Sequence, residues 1–276
     1  MVWNVDPVVF NLFDRGIRYY GIIFAFTLIG GYILWRWQMK RGQYSLKVID
    51  DFILWGVGAV IIGARLGHCF FYHPLLYLKN PWRVIFFWEG GLASHGATLG
   101  LVVALIIFAL RRKLHPLEIM DRFSMSAAVG AAGIRLGNFM NSEIVGRVTE
   151  VPWAVKFPRY AARIHKVSLE KAIGIAAPRH PSQLYEFAMG LTVLGLLFLA
   201  DRFFGREKRP RGLMTGLFLV LYFTGRFSVE YFKEYQALDK GSLFTIGQIL
   251  SIVPILAGAG LLVYVFLRRG EKPGHI

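Results

Sequence analysis

The feature that most constrains this chain is a series of apolar stretches, each long enough to cross a bilayer as a helix. About 20 apolar residues span the hydrocarbon core in helical form. Seven segments meet this length, near residues 19–37, 50–72, 92–110, 121–140, 183–200, 213–232 and 245–267. A hydrophobic content of 55% and a mean hydropathy of +0.47 exceed what a soluble domain of 276 residues carries. We therefore predict an all-α polytopic membrane protein, with residues 1–276 forming a single integral membrane domain of about seven transmembrane helices.

The distribution of basic residues predicts the orientation of these segments. The formal net charge of the chain is +15. Seven spans would place four basic clusters on one side of the membrane: 36–47, 111–122, 202–211 and 268–272. Because cytoplasmic connections carry the excess of Lys and Arg, we expect the N-terminus outside and the C-terminus in the cytoplasm. A nucleic-acid partner is not expected, since no soluble domain is apparent that would carry a basic binding face.

On the outside, two connections are long enough to form structure of their own. Residues 73–91 combine two prolines with several aromatic rings, which is typical of an interfacial segment at headgroup depth. Residues 142–180, inserted between the fourth and fifth segments, are polar or mixed and are predicted to form a small extracytoplasmic head. Within this head, 150–157 is predicted as a short strand and 163–173 as a short amphipathic helix.

Two arginines, Arg135 and Arg226, lie deep inside apolar segments. A guanidinium stays protonated in proteins, and a charge at membrane depth costs roughly 3 kcal/mol or more, so such residues face a bundle interior or a wet cavity. The planar guanidinium matches two phosphate oxygens at once, and a lone structural charge would not need a duplicate. The pair therefore indicates an anion-binding site inside the membrane.

Other polar residues fall at the same predicted depth as these arginines. The outer ends of the segments carry Tyr20, Arg65, His95, Asn138, Asn141, Gln183, Tyr185, Glu186, Tyr222 and Glu230. Helical spacing puts Asn138 on the face of Arg135, and Tyr222 and Glu230 on the face of Arg226. Alternatives stay open, because Glu230 also fits a structural partner of Arg226, and Arg65 fits an ion pair or a clamp on carbonyls. The whole cluster also fits an outer vestibule used for packing or gating.

His95 is the histidine best placed for proton transfer. Histidine titrates near neutral pH, and small residues from Gly90 to Gly96 leave space for a ligand around this one. Taken alone, a histidine at a helix start is more often a cap or a packing residue. A Ser94–His95 protease pair is rejected, because sequence neighbours point to different faces of a helix and no Gly-x-Ser-Gly turn is present.

Four stretches of the chain match the pattern of a known family. They are residues 133–147 (GIRLGNFMNSEIVGR), 90–96 (GGLASHG), 179–186 (RHPSQLYE) and the Gly225-Arg226-x-x-x-Glu230 end of the sixth segment. Together they resemble the prolipoprotein diacylglyceryl transferase family of bacterial membranes. The resemblance extends from Tyr20 to Ser251 and thus covers most of the chain.

The resemblance implies a reaction and a location. Enzymes of this family transfer the diacylglyceryl group of phosphatidylglycerol to the lipobox cysteine thiol that follows a prolipoprotein signal peptide. The products are a thioether and glycerol phosphate, and the transfer is the first step of bacterial lipoprotein maturation. A multi-pass protein of the bacterial cytoplasmic (inner) membrane is implied, surrounded by membrane lipids and with its active site in the outer half of the bilayer.

The resemblance also assigns roles to individual residues. Arg135 and Arg226 would hold the lipid phosphate, and His95 would be the base for the thiol. The residues that it places around them are Tyr20, Asn138, Glu143, Gly146 and Tyr222. Further substrate-binding candidates are residues at the same predicted membrane depth or within the matching stretches. They are Arg65, Asn141, His180, Gln183, Tyr185 and Glu230.

This chemistry requires no metal and no cofactor. A cysteine thiol has a pKa of about 8.5, so a base or a positive field is needed to raise the thiolate fraction at neutral pH. Negative charge grows on the phosphate oxygens as the carbon–oxygen bond breaks, and fixed donors stabilise it in a poorly wetted site. No Cys or His pair has metal-ligand spacing. The single cysteine, Cys69, is not the nucleophile, because the acceptor thiol belongs to the substrate.

Two rival functions belong to other classes. A transporter or flippase for an anionic lipid would also contain buried arginines, but it usually shows internal repeats with broken helices, which are not apparent here. An assembly subunit without activity predicts that Arg135→Ala changes only the abundance of the protein. Modification of a lipobox peptide by the purified protein separates a transferase from both rivals.

Overall fold

The structure, a computed structural model, describes residues 1–13, 15–72, 74–86, 91, 93–234 and 243–268. Several residues that the sequence interpretation used lie outside these ranges. They are Phe87 and Trp88 of the predicted interfacial segment, Gly90 and Leu92 ahead of His95, and the basic residues Arg269 and Lys272.

Helices dominate the described part of the chain. In chain order they are α1 (Tyr19–Arg41), α2 (Leu46–Tyr72), α3 (Pro74–Lys79), α4 (Ser94–Arg111), α5 (Pro116–Met140), α6 (Pro158–His165), α7 (Leu169–Ile175), α8 (Ser182–Phe203), α9 (Leu213–Val229) and α10 (Ile246–Arg268). Seven of them overlap the seven apolar segments. Among the described residues, α1, α8, α10 and the helical stretch Leu213–Phe232 are long and apolar enough to cross a membrane. The all-α class is therefore confirmed, with four helices of spanning character.

Four short strands form two small sheets within the residues that the structure describes. Strands β1 (Val8–Leu12) and β2 (Arg15–Arg18) make an antiparallel hairpin that leads directly into α1. Strands β3 (Val155–Lys156) and β4 (Pro178–Arg179) pair antiparallel. In addition, Val2 bridges Lys156 in parallel.

The chain divides into two compact units. The terminal unit contains Met1–Leu34 and Ser124–Ile276, and the middle unit contains Trp35–Phe123. The core of the terminal unit consists of side chains from α5, α8 and α9: Met125, Ala128, Val193, Leu197, Met214 and Tyr222. Small residues bring its helices close, since a Cβ at Gly190 of α8 would lie 2.9 Å from the Cβ of Ala132 in α5.

In the middle unit, α2 and α4 pack through glycines that are four residues apart on each helix. A Cβ at Gly63 would lie 2.9 Å from the Cα of Gly100, and a Cβ at Gly67 would lie 2.7 Å from the Cα of Gly96. Lipid provides no hydrophobic drive between helices, so close backbone contact of this kind supplies the attraction. In the same unit, Trp35 donates from Nε1 to the carbonyl of Ile49 at 3.0 Å.

The segment 142–180 differs in detail from the sequence interpretation. The predicted strand 150–157 shortens to β3, because a turn that closes from Ala154 N–H to the Val151 carbonyl occupies its first half. The predicted helix 163–173 is wrong, since α6 and α7 are separate helices. Lys166 has a φ of 52°, a left-handed conformation that ends α6, and Ser168 caps α7 by accepting from the N–H of Lys171.

Two glycines of α2 give a matched test of the packing. Gly63→Ala is expected to lower the stability by about 1–3 kcal/mol, because its methyl group must displace the backbone of α4. Gly58→Ala, with nothing within 4 Å of its Cβ, is expected to raise the stability by up to about 1 kcal/mol through helix propensity. Melting temperatures of the purified proteins in detergent measure both effects. Equal melting temperatures for the two variants would contradict the close contact.

Candidate active site

In the terminal unit, α5 lies against α1 at the level of Arg135. A Cβ at Gly137 would lie 2.7 Å from the aromatic ring of Tyr20, and a Cβ at Gly133 would overlap Thr27. The ring of Tyr20 therefore occupies the space over Gly137, within electrostatic range of Arg135 and Glu143. This contact brings Tyr20, the predicted substrate-binding residue of the first segment, beside Arg135, the predicted phosphate-binding arginine.

A single buried carboxylate joins Arg135 and Arg226. Arg135 Nε lies 3.0 Å from Glu186 Oε2, and Arg226 Nη1 lies 3.5 Å from Glu186 Oε1. The side chain of Glu186 is 1% exposed. Neither of its oxygens makes a well-aligned hydrogen bond within the described part of the chain, so the contact is one of charge. The two cations predicted to share one ligand thus converge on one anion of the protein.

A second ion pair extends this network. Lys233 is buried, and its Nζ lies 2.9 Å from Glu230 Oε2 and 3.8 Å from Glu186 Oε1. The carboxylate of Glu230 fills the space beside Gly247 in the first turn of α10, where the helix dipole favours negative charge. Helical spacing indicated Arg226 as the structural partner of Glu230. The structure pairs Glu230 with Lys233 instead, because α9 ends at Val229 and the following turn brings Lys233 inward.

The ion network, defined as Arg135, Glu186, Arg226, Glu230 and Lys233, holds three positive and two negative charges. Its contacts engage Nε and Nη1 of Arg135 and Nη1 of Arg226. A guanidinium has five N–H donors, so both arginines keep donors for a ligand. The network can therefore bind one further anion with two-point contacts from either arginine.

Glu143 follows α5 and is held by amide side chains. Asn138 Nδ2 donates to Glu143 Oε1 at 2.8 Å, and Asn141 Nδ2 donates to the same oxygen at 3.3 Å. Asn138 in turn lies 3.5 Å from Arg135 Nη1 through its Oδ1. These contacts place four residues of the 133–147 stretch, Arg135 included, in one polar chain.

The backbone that carries Glu143 is strained and fixed from outside. Ser142 has a φ of 51° and Ile144 a φ of 55°, a left-handed conformation that is unfavourable for a β-branched side chain. Three consecutive carbonyls of this loop accept hydrogen bonds from other elements. The donors are Arg163 to Ser142, Gln183 to Glu143 at 2.8 Å, and Ser182 to Ile144 at 3.1 Å. The role of Gln183 seen here is thus to hold the loop.

Gly146, His180 and Tyr185 form a neighbouring group beside this loop. The N–H of Gly146 donates to the carbonyl of His180 at 3.0 Å, and a Cβ at Gly146 would overlap that residue. Burial lowers the pKa of His180 below its usual value, which favours the neutral form of its ring. The Tyr185 hydroxyl accepts from Trp153 Nε1 at 2.7 Å and lies 3.1 Å from His180 Nδ1. Gly146 has no space for a side chain because of this tight backbone pairing.

In the middle unit, His95 lies in the first turn of α4 and is exposed. Its ring packs edge-on to Phe71 at a centroid distance of 5.2 Å and lies 6.0 Å from the ring of Tyr72. Within the described residues its ring nitrogens make no hydrogen bond. An exposed imidazole of this kind has both nitrogens available for proton transfer.

Arg65, also in the middle unit, is buried and clamps backbone carbonyls. Its Nε donates to Val84 at 3.0 Å, its Nη2 to Arg83 at 2.7 Å and its Nη1 to Gly91 at 3.4 Å. The guanidinium also lies over the ring of Tyr77. The carbonyl clamp, one of the two structural interpretations of Arg65, agrees with these contacts.

The sequence interpretation gave no role to Glu186 or Lys233. Glu186 was placed among the outer polar residues, and as a carboxylate within an apolar segment it carried a usable signal. Lys233 follows Glu230 by three residues, a spacing that favours an ion pair, but it lies beyond the apolar segment. Both belong to the ion network.

Fold and site together define an integral membrane protein that contains a network of charged side chains. Residues 7–264 match the family described as prolipoprotein diacylglyceryl transferase. The chain belongs to this family.

Relatives with curated names agree along nearly the whole chain. A protein of Burkholderia ambifaria named phosphatidylglycerol–prolipoprotein diacylglyceryl transferase is 37% identical over 290 residues, which cover 96% of each chain. A protein of Bacteroides fragilis with the same name is 36% identical, covering 98% of this chain and 95% of its own. A third, from Cupriavidus pinatubonensis, is 35% identical over 97% of this chain and 94% of its own.

Removal of the shared carboxylate tests the network. Glu186→Gln is expected to lower the stability by about 3 kcal/mol, because it leaves buried cations without compensation. For a chain of this size that corresponds to a fall of roughly 10 °C in melting temperature. Glu150→Gln removes an exposed carboxylate and serves as the control. If both variants melt together in detergent, Glu186 does not hold the network.

Proposed function

We propose that this protein is a phosphatidylglycerol–prolipoprotein diacylglyceryl transferase. It transfers the diacylglyceryl group of the lipid to the lipobox cysteine thiol of a prolipoprotein and releases glycerol phosphate. The observation that carries the proposal is the ion network, in which Arg135 and Arg226 share Glu186 and keep donors for a ligand. Such a protein catalyses the first step of lipoprotein maturation in bacteria.

Arg135 and Arg226 bind the lipid phosphate in this proposal. A phosphodiester carries one negative charge, and the ion network has one positive charge in excess. The residues around Arg135 complete the substrate site, namely Tyr20, Asn138, Asn141, Glu143 and Tyr222. Glu230 acts through Lys233 and is a positioning residue. Gly146, His180, Gln183 and Tyr185 shape the adjoining wall.

The transfer is a displacement at a glycerol carbon. The substrate thiolate forms a bond to that carbon, the carbon–oxygen bond to phosphate breaks, and its electron pair remains on the phosphate oxygen. Negative charge therefore grows where the guanidinium groups are fixed. Loss of one such preorganised donor commonly lowers the rate by about 10²–10³.

His95 accepts the proton of the substrate thiol. An exposed imidazole whose ring nitrogens make no hydrogen bond within the described residues suits this step. Arg65 is given a positioning role in place of direct substrate binding, because it donates to the carbonyls of Arg83, Val84 and Gly91.

All seven long apolar helices cross the bacterial inner membrane in this proposal, with the N-terminus and the 142–180 head outside. The basic clusters at the ends of alternate helices support this orientation. The ion network then lies in the outer half of the bilayer. Protease accessibility of tags at the two termini of the protein in intact cells tests the orientation.

Substitution of the arginines tests the proposed phosphate site. Arg135→Ala and Arg226→Ala are each expected to lower thioether formation by about 10²–10³. Arg135→Lys is expected to lose at least about tenfold, because an ammonium group cannot make a two-point contact. Mass spectrometry of a lipobox peptide, incubated with phosphatidylglycerol vesicles and purified protein, measures the product.

Arg202→Lys, at the exposed end of α8, is the control for this experiment and is expected to keep full activity. Normal turnover by a folded Arg135→Ala protein would refute the phosphate role. If wild-type protein moves lipid between leaflets without modifying the peptide, the transporter interpretation is favoured.

His95→Gln tests the base. The variant is expected to lose about 10²-fold in rate at neutral pH. Its residual activity should rise as the pH approaches the thiol pKa of about 8.5, since hydroxide then supplies the thiolate. The exposed His115→Gln is the matched control. A His95→Gln protein with full activity at pH 7 would leave His95 only a packing role.

A further inference from the structure

A second group of cations lies next to the ion network but takes no part in it. A cavity of about 300 Å³ opens between the end of the N-terminal hairpin, α6 and the start of α7. Three arginines line this cavity, namely Arg18, Arg159 and Arg163, together with Asn141 and Glu143. The arginine cavity, as we name it, belongs entirely to the terminal unit.

The arginines of the cavity are only partly engaged by the protein. Arg163 uses Nη2 on the carbonyls of Asn141 and Ser142. Arg159 Nη2 lies 3.3 Å from Asp6 Oδ2, but its Nε is buried and without a hydrogen-bond partner in the described part of the chain. Arg18 is exposed, and within the same residues its guanidinium makes neither an ion pair nor a hydrogen bond. Donors are therefore available to a ligand.

The negative charge near these donors is limited. Glu143 is the carboxylate in the cavity wall, and its Oε1 accepts from Asn138 and Asn141. Asp6 pairs with Arg159 from outside the wall and is 64% exposed, so solvent weakens its effect. The wall thus carries three positive charges against one negative charge, a larger excess than in the ion network.

Shared residues connect the cavity to the proposed phosphate site. Glu143 and Asn141 line the cavity and also complete the substrate site. From Glu143 the polar chain runs through Asn138, at 2.8 Å, to Arg135, at 3.5 Å. A continuous chain of polar side chains therefore joins Arg135 to the cavity wall.

We propose that the arginine cavity is a second anion site that receives the glycerol phosphate released by the transfer. This inference rests on the proposed function. Cleavage of the carbon–oxygen bond leaves its electron pair on the phosphate and converts a diester with one negative charge into a monoester. A phosphomonoester carries about 1.5 to 2 negative charges at pH 7. The product therefore matches the cavity better than the substrate does, which draws it away from Arg135.

The test measures binding of glycerol phosphate and its inhibition of the reaction. Arg18→Gln and the double variant Arg18→Gln/Arg159→Gln are compared with Lys171→Gln, an exposed cation of α7 outside the cavity wall. Calorimetry on the purified proteins in detergent gives the dissociation constants of glycerol phosphate and of inorganic phosphate. Assays with vesicles and lipobox peptide give the inhibition constant of glycerol phosphate and the KM for phosphatidylglycerol.

In the double variant, the dissociation and inhibition constants of glycerol phosphate should rise at least about tenfold, as expected for the loss of charge-assisted hydrogen bonds. The KM for phosphatidylglycerol should change by less than about twofold, and Lys171→Gln should behave as wild type. Arg18→Gln alone should give a smaller rise with an unchanged melting temperature, because the side chain is exposed.

Three results would overturn the proposal. Unchanged constants for glycerol phosphate in a folded double variant would show that the cavity does not bind it. A KM that rises by the same factor would assign the cavity to the lipid headgroup. Equal affinity for inorganic phosphate would remove the assignment to the product. Failure of the wild-type protein to modify the peptide would refute the proposed function. Calorimetry requires no turnover, so binding of glycerol phosphate to the cavity can still be measured in that case.

Discussion

The buried carboxylate of Glu186 is the contact on which the rest of the site depends. Two guanidinium groups from different helices, Arg135 of α5 and Arg226 of α9, approach its two oxygens. A buried charge is tolerated only when it is compensated, so either arginine without Glu186 would be strongly unfavourable in an apolar bundle. The same carboxylate therefore links α5, α8 and α9, and it holds both guanidinium groups at one place while part of their donors stays unoccupied.

Around this contact, the structure uses backbone strain and small residues to place polar groups. The loop that carries Glu143 contains two left-handed residues, and donors from α6 and α8 hold its carbonyls. Gly137 admits the ring of Tyr20, and Gly247 admits the carboxylate of Glu230. A side chain at either glycine would occupy the space that a functional group now fills. Local strain and the absence of side chains at these positions thus help to place the charged groups of the site.

The proposed chemistry follows from a division of charge in the terminal unit. The ion network has a small positive excess, which suits a diester, while the arginine cavity has a larger excess, which suits a monoester. Between them lies the polar chain of Asn138, Asn141 and Glu143. A gradient of positive charge of this kind favours release of the more highly charged product from the site at which it forms.

Much of this protein was determined by the sequence alone. Apolar runs of spanning length predict helices, because a run in lipid must satisfy its own backbone polar groups, and each of the seven runs overlaps a helix. Among the described residues, four helical stretches are long and apolar enough to cross a membrane. Arg135 and Arg226 could be identified as candidate site residues, because a permanent charge within an apolar run is costly and usually marks a functional site. The family was also evident from the stretch around Arg135. The boundaries of α6 and α7 could not be predicted from the sequence, because the break at Lys166 is a local left-handed turn that no proline or glycine marks.

The pairing of the charges was decided only by the tertiary structure. Periodicity shows which residues share a face of one helix, but it does not show how neighbouring helices are rotated or offset along their axes. For that reason helical spacing offered Arg226 as one possible structural partner of Glu230. In the structure, the turn after α9 pairs Glu230 with Lys233, and its carboxylate lies beside Gly247 of α10. Glu186 gained its role in the same way, because two arginines from other helices converge on it once the bundle is packed.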